Sequence, residues 1–175
     1  SITSGGHPGS SNIFLFVFFA TIIALTGLFL DNITVIIGAM LLSPLIGPIN
    51  AFAVNANLGR TKFIIRSQLV SLLLLIFVIA TASIFTFIIN LFIPLDVTTQ
   101  ISLRGQTNIV DIFLAFILGC AGGLSLFTDF PEILVGVAVA VALVPPATVT
   151  GIGIALMDLR LMIGAFLLTL INLLG

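Results

Sequence analysis

The chain has 175 residues, of which 60% are hydrophobic and 6% charged, with a net charge of -1 at pH 7 and a mean hydropathy of +1.41. Soluble domains carry roughly a quarter charged residues, so this composition excludes an ordinary water-soluble fold and indicates an integral membrane protein. No basic run follows phosphates, which excludes nucleic acid and leaves the lipid bilayer as the expected partner.

The opening, SITSGGHPGSSN, is rich in Gly, Ser and Pro, and residues 1–11 read as a flexible lead-in or linker. It holds the only histidine, His7. There is no initial methionine and no basic stretch before the first apolar run, so no signal peptide is read. Residues 12–175 form one transmembrane domain with six apolar segments: 12–30, 33–58, 63–93, 109–128, 133–157 and 161–175. The fold class is therefore all-α and polytopic. The last segment holds only about fifteen residues, short of the roughly twenty that a spanning helix needs, so the domain is read as truncated at its C-terminus.

The second segment combines apolar length with two prolines. A proline in a helix interior removes an N–H and clashes with the carbonyl four residues back. Pro44 and Pro48 should therefore free the carbonyls of Met40 and Pro44. In lipid such groups are costly unless neighbours satisfy them or they line a cavity. The third segment has no breaker before Pro94 and should be one long continuous helix. Residues 94–108, PLDVTTQISLRGQTN, form the one sizeable polar loop and divide the domain into repeat one, 12–93, and repeat two, 109–175.

The fifth segment carries a second proline pair, Pro145 and Pro146, which should free the carbonyls of Val141 and Ala142. An offset of 98 positions, the spacing of Asp31 and Asp129, also brings Gly38 onto Gly136, Pro48 onto Pro146 and Lys62 onto Arg160. Three segments per half make the second half enter from the opposite side, giving two inverted three-helix repeats with proline-broken second and fifth helices. Both breaks fall near the middle of their segments. Arg60, Lys62 and Arg66 cluster between the second and third segments, which places that loop and the N-terminus in the cytoplasm.

The candidate binding residues are those of the two breaks: Ser43, Pro44, Gly47, Pro48 and Asn50 in the first, Pro145, Pro146, Thr148 and Thr150 in the second. Freed carbonyls, hydroxyls, an amide and half-helix ends at one depth could coordinate an ion or a small polar solute. The alternative is a pair of proline kinks healed by Ser/Thr side chains and packed neighbours. Asp31, Asp129 and Asp111 are possible gating or entry residues. Helix N-capping explains Asp31 and Asp129 without such a role, and Asp111 fits the interface. Gly119 and Gly123, followed by Ala138, Ala142, Ala147, Gly151 and Ala155, allow close helix approach.

Catalytic signatures are absent: there is no GxSxG, HExxH, phosphate-binding loop or dinucleotide fingerprint. The lone Cys120 lies in an apolar run and reads as a small buried residue. No enzyme activity, cofactor or metal site is expected.

The stretches IIGAMLLSPLIGPI and LVGVAVAVALVPPATVTGIGIAL, the latter followed by GAFLLTLINLLG, resemble the paired motifs of the uncharacterised hydrophobic-domain family of bacterial and archaeal membrane proteins. The resemblance runs from about Thr21 to the end. It implies a membrane domain of unknown function, commonly preceded by a soluble N-terminal domain, and no established substrate. The leading expectation is a small-solute or ion transporter working by alternating access. A channel, or a membrane anchor or sensor for a soluble domain, is the alternative. A homo-oligomer is expected in each case.

Overall fold

The computed structural model of the chain describes residues 10–43, 61–125 and 132–174. Among these the secondary structure is all helical: α1 (Ser10–Phe29), α2 (Ile33–Leu42), α3 (Thr61–Phe92), α4 (Thr99–Arg104), α5 (Ile109–Ser125), α6 (Glu132–Ala155) and α7 (Leu159–Leu174). As expected, the third segment is one uninterrupted helix, its 32 residues spanning about 48 Å. Among the described residues, Asn12–Phe29 of α1 and Leu69–Phe92 of α3 are long and apolar enough to cross a bilayer. Ile33–Leu42, Ala142–Ala155 and Leu159–Leu173 are shorter apolar helices. These lengths do not by themselves establish six spans.

Large apolar side chains are exposed along α1, α3 and α5, among them Phe16, Phe19, Leu73, Ile76, Phe113 and Phe116. In water such a surface would aggregate; against hydrocarbon it carries no penalty. Cys120 of α5 is exposed too, contrary to its reading as a buried residue.

Two apolar clusters make the interior. One joins Val17 and Ala24 of α1, Ala39 of α2, Leu74, Leu75 and Val78 of α3, and Leu143, Val144 and Ala147 of α6. The other joins Leu25 and Leu28, Ile36 and Met40, Ala82, Ile101 of α4, Val149 and Ile152 of α6, and Leu161 and Ala165 of α7. Helix α6 is the central element and is buried continuously from Leu143 to Gly153. Gly151 explains its closeness to α3, since a Cβ there would lie 2.5 Å from the Ile79 carbonyl oxygen. Edge-to-face ring pairs Phe14–Phe77 and Phe18–Phe85 pack α1 along α3.

The polar stretch between α3 and α5 is not loop throughout, since it contains α4. Thr98 caps it, its side chain accepting from the Ile101 N–H. The loop ties two helical hairpins together at one end of the bundle. The Thr98 hydroxyl donates to the Leu28 carbonyl at 2.6 Å, the Gln100 N–H to Asp31 Oδ1 at 2.8 Å, and the Thr107 hydroxyl to the Gly164 carbonyl at 2.8 Å. The turns α1–α2 and α6–α7 therefore face the same end.

Those turns are built alike. At residues 30–32 and 156–158 the middle residue has positive φ, 53° at Asp31 and 56° at Met157. Asn32 N–H donates to the Gly27 carbonyl and Asp158 N–H to that of Gly153. The next side chain caps the second helix: Asn32 Oδ1 accepts from Thr34 and Val35, Asp158 Oδ1 from Arg160 and Leu161. Gly27 and Gly153 meet the backbone N–H of Ile36 and Met162, with Cβ clearances of 2.8 and 2.6 Å. The likeness runs on into sequence, IGAMLLS at 37–43 against IGAFLLT at 163–169, at an offset of 126 positions, the spacing of Asn32 and Asp158. In this pairing α2 corresponds to α7, whereas the 98-position register sets it against α6.

Candidate functional site

Helix α2 ends at Leu42, immediately before the proline stretch. Ser43 leaves the helix with extended angles, φ -75° and ψ 123°, and its N–H turns back to the Met40 carbonyl. Counting from Asn32, Ser43 lies about 16 Å along the helix axis, near half of a hydrocarbon core of about 30 Å. Its side chain is 2% exposed, and its hydroxyl has no hydrogen-bond partner among the described residues. Thr86 on α3 is the other such group there. Pro44, Gly47, Pro48 and Asn50 lie outside the described residues, as does Asp129.

The second proline stretch does not break. Helix α6 passes through Pro145 and Pro146 without interruption, which corrects the expectation of a broken fifth helix. The carbonyl that Pro146 deprives of its helical donor, that of Ala142, accepts instead from Asn172 Nδ2 of α7 at 2.8 Å. One turn further on, the Thr148 and Thr150 hydroxyls donate to the carbonyls of Val144 and Pro146 at 2.8 and 2.9 Å. Burial on all sides holds this repaired turn in place, as transmembrane helices with proline allow. Thr148 and Thr150, expected as free ligand groups, thus spend their protons inside their own helix.

The two regions nevertheless meet. Pro145 and Pro146 lie about 14–15 Å from the α6 C-terminus, and both hairpins share one end, so Ser43 and the proline turn stand at matching depth. Ala39, one turn before Ser43, packs in the cluster that contains Leu143, Val144 and Ala147 around the prolines. The arrangement is asymmetric, with a helix end and a hydroxyl unpartnered among the described residues on one side and a continuous helix, its Ala142 carbonyl taken by Asn172, on the other.

The carboxylates have structural work. Asp31 receives the Gln100 N–H and so docks α4, while Asn32 does the capping of α2. Asp111 Oδ2 accepts from the Asn108 N–H at 2.7 Å and closes the first turn of α5. Arg104 donates to the carbonyl and side-chain oxygens of Gln100, and burial lowers its pKa from the usual guanidinium value. Among the described residues no group of three or more His, Cys, Asp or Glu gathers as a metal site.

Sequence reasoning missed Asn172. The signal was a lone amide in the apolar run LLTLINLL, where a polar side chain in a membrane helix asks for a partner on a neighbour.

The family model described as "Domain of unknown function (DUF389)" matches residues 40–175, a stretch that takes in both proline regions. An uncharacterized protein of Methanocaldococcus jannaschii is 31% identical over 162 residues, covering 92% of this chain and 49% of its own length. The chain thus spans about half the length of that curated relative. No solved structure matches this chain.

Proposed function

The chain belongs to the DUF389 family, whose function is unassigned, and from that membership and the geometry above we propose that it is a membrane transport domain. It moves a small solute or ion through a site at mid-depth, where α2 ends against the proline turn of α6. The observation that carries this reading is the buried Ser43 hydroxyl, without a partner among the described residues, at a helix end halfway along a spanning length. A chain tolerates an unmade hydrogen bond in such surroundings when a ligand or a moving element completes it.

The remaining architecture belongs to the same proposal. The chain crosses the membrane six times in two three-segment halves of opposite direction, with the 60–66 cationic loop and the N-terminus cytoplasmic. Supporting this, α3 ends and α5 begins at the loop end of the bundle, where both hairpins also turn. Alternating access then arises from movement of α1–α2 against α6–α7, and the exposed apolar faces meet lipid and copies of the same chain. The domain itself carries no enzymatic step.

The second reading is a membrane anchor or sensor serving another domain, and the doubled length of the archaeal relative favours it. Thiol accessibility separates the two. In a Cys120→Ala background reconstituted in vesicles, Ser43→Cys is treated with a membrane-impermeant thiol reagent from each side. Transport predicts modification from either side in mutually exclusive states. Modification from neither side under any condition refutes transport and leaves the anchor; simultaneous access from both describes a channel.

A further inference from the structure

The molecule contains its own reference for Ser43. In the duplicated hairpin the equivalent residue is Thr169, and its hydroxyl donates to the Ala165 carbonyl at 2.8 Å while α7 continues to Leu174. Ala165 corresponds to Ala39. At Ser43 the helix stops, and the hydroxyl makes no bond to Ala39 or to any other described group. The same hairpin, with the same IGA(M/F)LL(S/T) sequence, is closed at one copy and left open at the other.

What the open copy presents is a set of oxygens. The last turn of a helix leaves carbonyls without intrahelical donors, and the aligned peptides give that end a partial charge equivalent to about -0.5. Pro44 has no N–H to give to the Met40 carbonyl, which takes the Ser43 N–H at 3.2 Å instead. Helix end, carbonyls and hydroxyl oxygen all favour a positive charge, whereas an anion would need the N–H end of a helix.

The charge balance limits the ion. The described carboxylates Asp31, Asp96, Asp111 and Asp158 stand at the loop end, and Glu132 opens α6 at the other. A divalent ion at mid-depth would find about half a compensating charge and, among the described residues, no carboxylate, which hard divalent cations demand. Neutral oxygens suit a monovalent alkali cation, as backbone carbonyls do in transporters and channels.

We propose that Ser43 Oγ and the carbonyl end of α2 form a binding site for a monovalent alkali cation, walled by the Leu143–Ala147 turn of α6. This rests on the transport reading and names its ligand class. Binding would also be felt by the helix contact itself, since the ion would sit where α2 meets α6.

The test is equilibrium binding of radioactive sodium and of radioactive rubidium to the full purified chain, in choline buffer. Saturable binding of one of them is expected. Ser43→Cys keeps the shape but replaces the hard oxygen with soft sulfur, and should weaken binding by about tenfold or more. Ser43→Thr should retain it, and Thr169→Ala should leave it unchanged. Circular dichroism melting in choline confirms that each variant is folded, and the near-isosteric Cys keeps the comparison decisive where Ser43→Ala does not fold. Absence of saturable binding in the wild-type chain, or unchanged binding in folded Ser43→Cys, overturns the proposal. The two readings fail separately: thiol access from either side in mutually exclusive states without ion binding removes the cation and keeps transport, while ion binding without access from either side does the reverse.

Discussion

The repair of α6 by Asn172 can be measured as a double-mutant cycle. Replacing Asn172 by Leu removes the Nδ2 donor that sits 2.8 Å from the Ala142 carbonyl. That carbonyl has no helical donor because residue 146 is proline, so the substitution leaves a part-buried acceptor unmade. An unsatisfied buried group costs about 1–3 kcal/mol, and interhelical bonds measured in membranes fall at the lower end, about 0.6–1.7 kcal/mol. We therefore expect Asn172→Leu to destabilise the chain by about 1–1.5 kcal/mol. Replacing Pro146 by Ala restores an N–H within reach of the same carbonyl, so in that background the loss of Asn172 should cost only its packing, about 0.5 kcal/mol or less. The coupling energy is then about 1 kcal/mol, within the range for directly contacting residues. Titration of the folded chain in mixed micelles with dodecyl sulfate, followed by helical circular dichroism, provides the four free energies. An Asn172→Leu cost that is the same in the wild-type and Pro146→Ala backgrounds refutes the repair.

The duplicated hairpins give a paired test at equivalent glycines. A Cβ on Gly38 meets nothing within 4 Å, so Gly38→Ala should be neutral or stabilising by up to ~1 kcal/mol, whereas a Cβ on Gly164 would collide with the Gly105 carbonyl. Gly164→Ala should destabilise by about 1–3 kcal/mol and speed amide exchange in α4; equal effects at the two sites would contradict the loop docking. Met157 is exposed and holds φ 56°, so Met157→Gly should raise stability by about 1 kcal/mol in the same titration, and a loss would show that the turn is not strained there. For orientation, single cysteines at Arg60 and Gln100 should label from opposite faces of intact cells, and labelling of both from one face would overturn the six-span arrangement.

The helical class, the long unbroken α3 and the apolar runs long enough to cross a bilayer were all legible in the sequence. Each depends on apolar run length and on the placing of prolines and charges, quantities that are local along the chain. The stop of α2 near Ser43 was legible for the same reason, since Pro44 follows it directly.

The fate of Pro145 and Pro146 was decided by tertiary structure. Proline chemistry dictates that a carbonyl is freed, and only the neighbouring helix dictates who pairs with it; α7 brings Asn172 there because the 156–158 turn folds it back antiparallel to α6. The hairpin likeness at an offset of 126 lay in the sequence, but the shared prolines drew attention to a different register. It took the positive-φ turns, the caps at Asn32 and Asp158 and the glycine contacts to identify it. Sequence alone determined that this chain folds as apolar helices, two of them among the described residues long enough to cross a bilayer, and where those helices are weakened by proline. Packing determined which weakness was closed, at Pro146, and which was left open, at Ser43, because satisfying a buried polar group requires a partner brought from far along the chain.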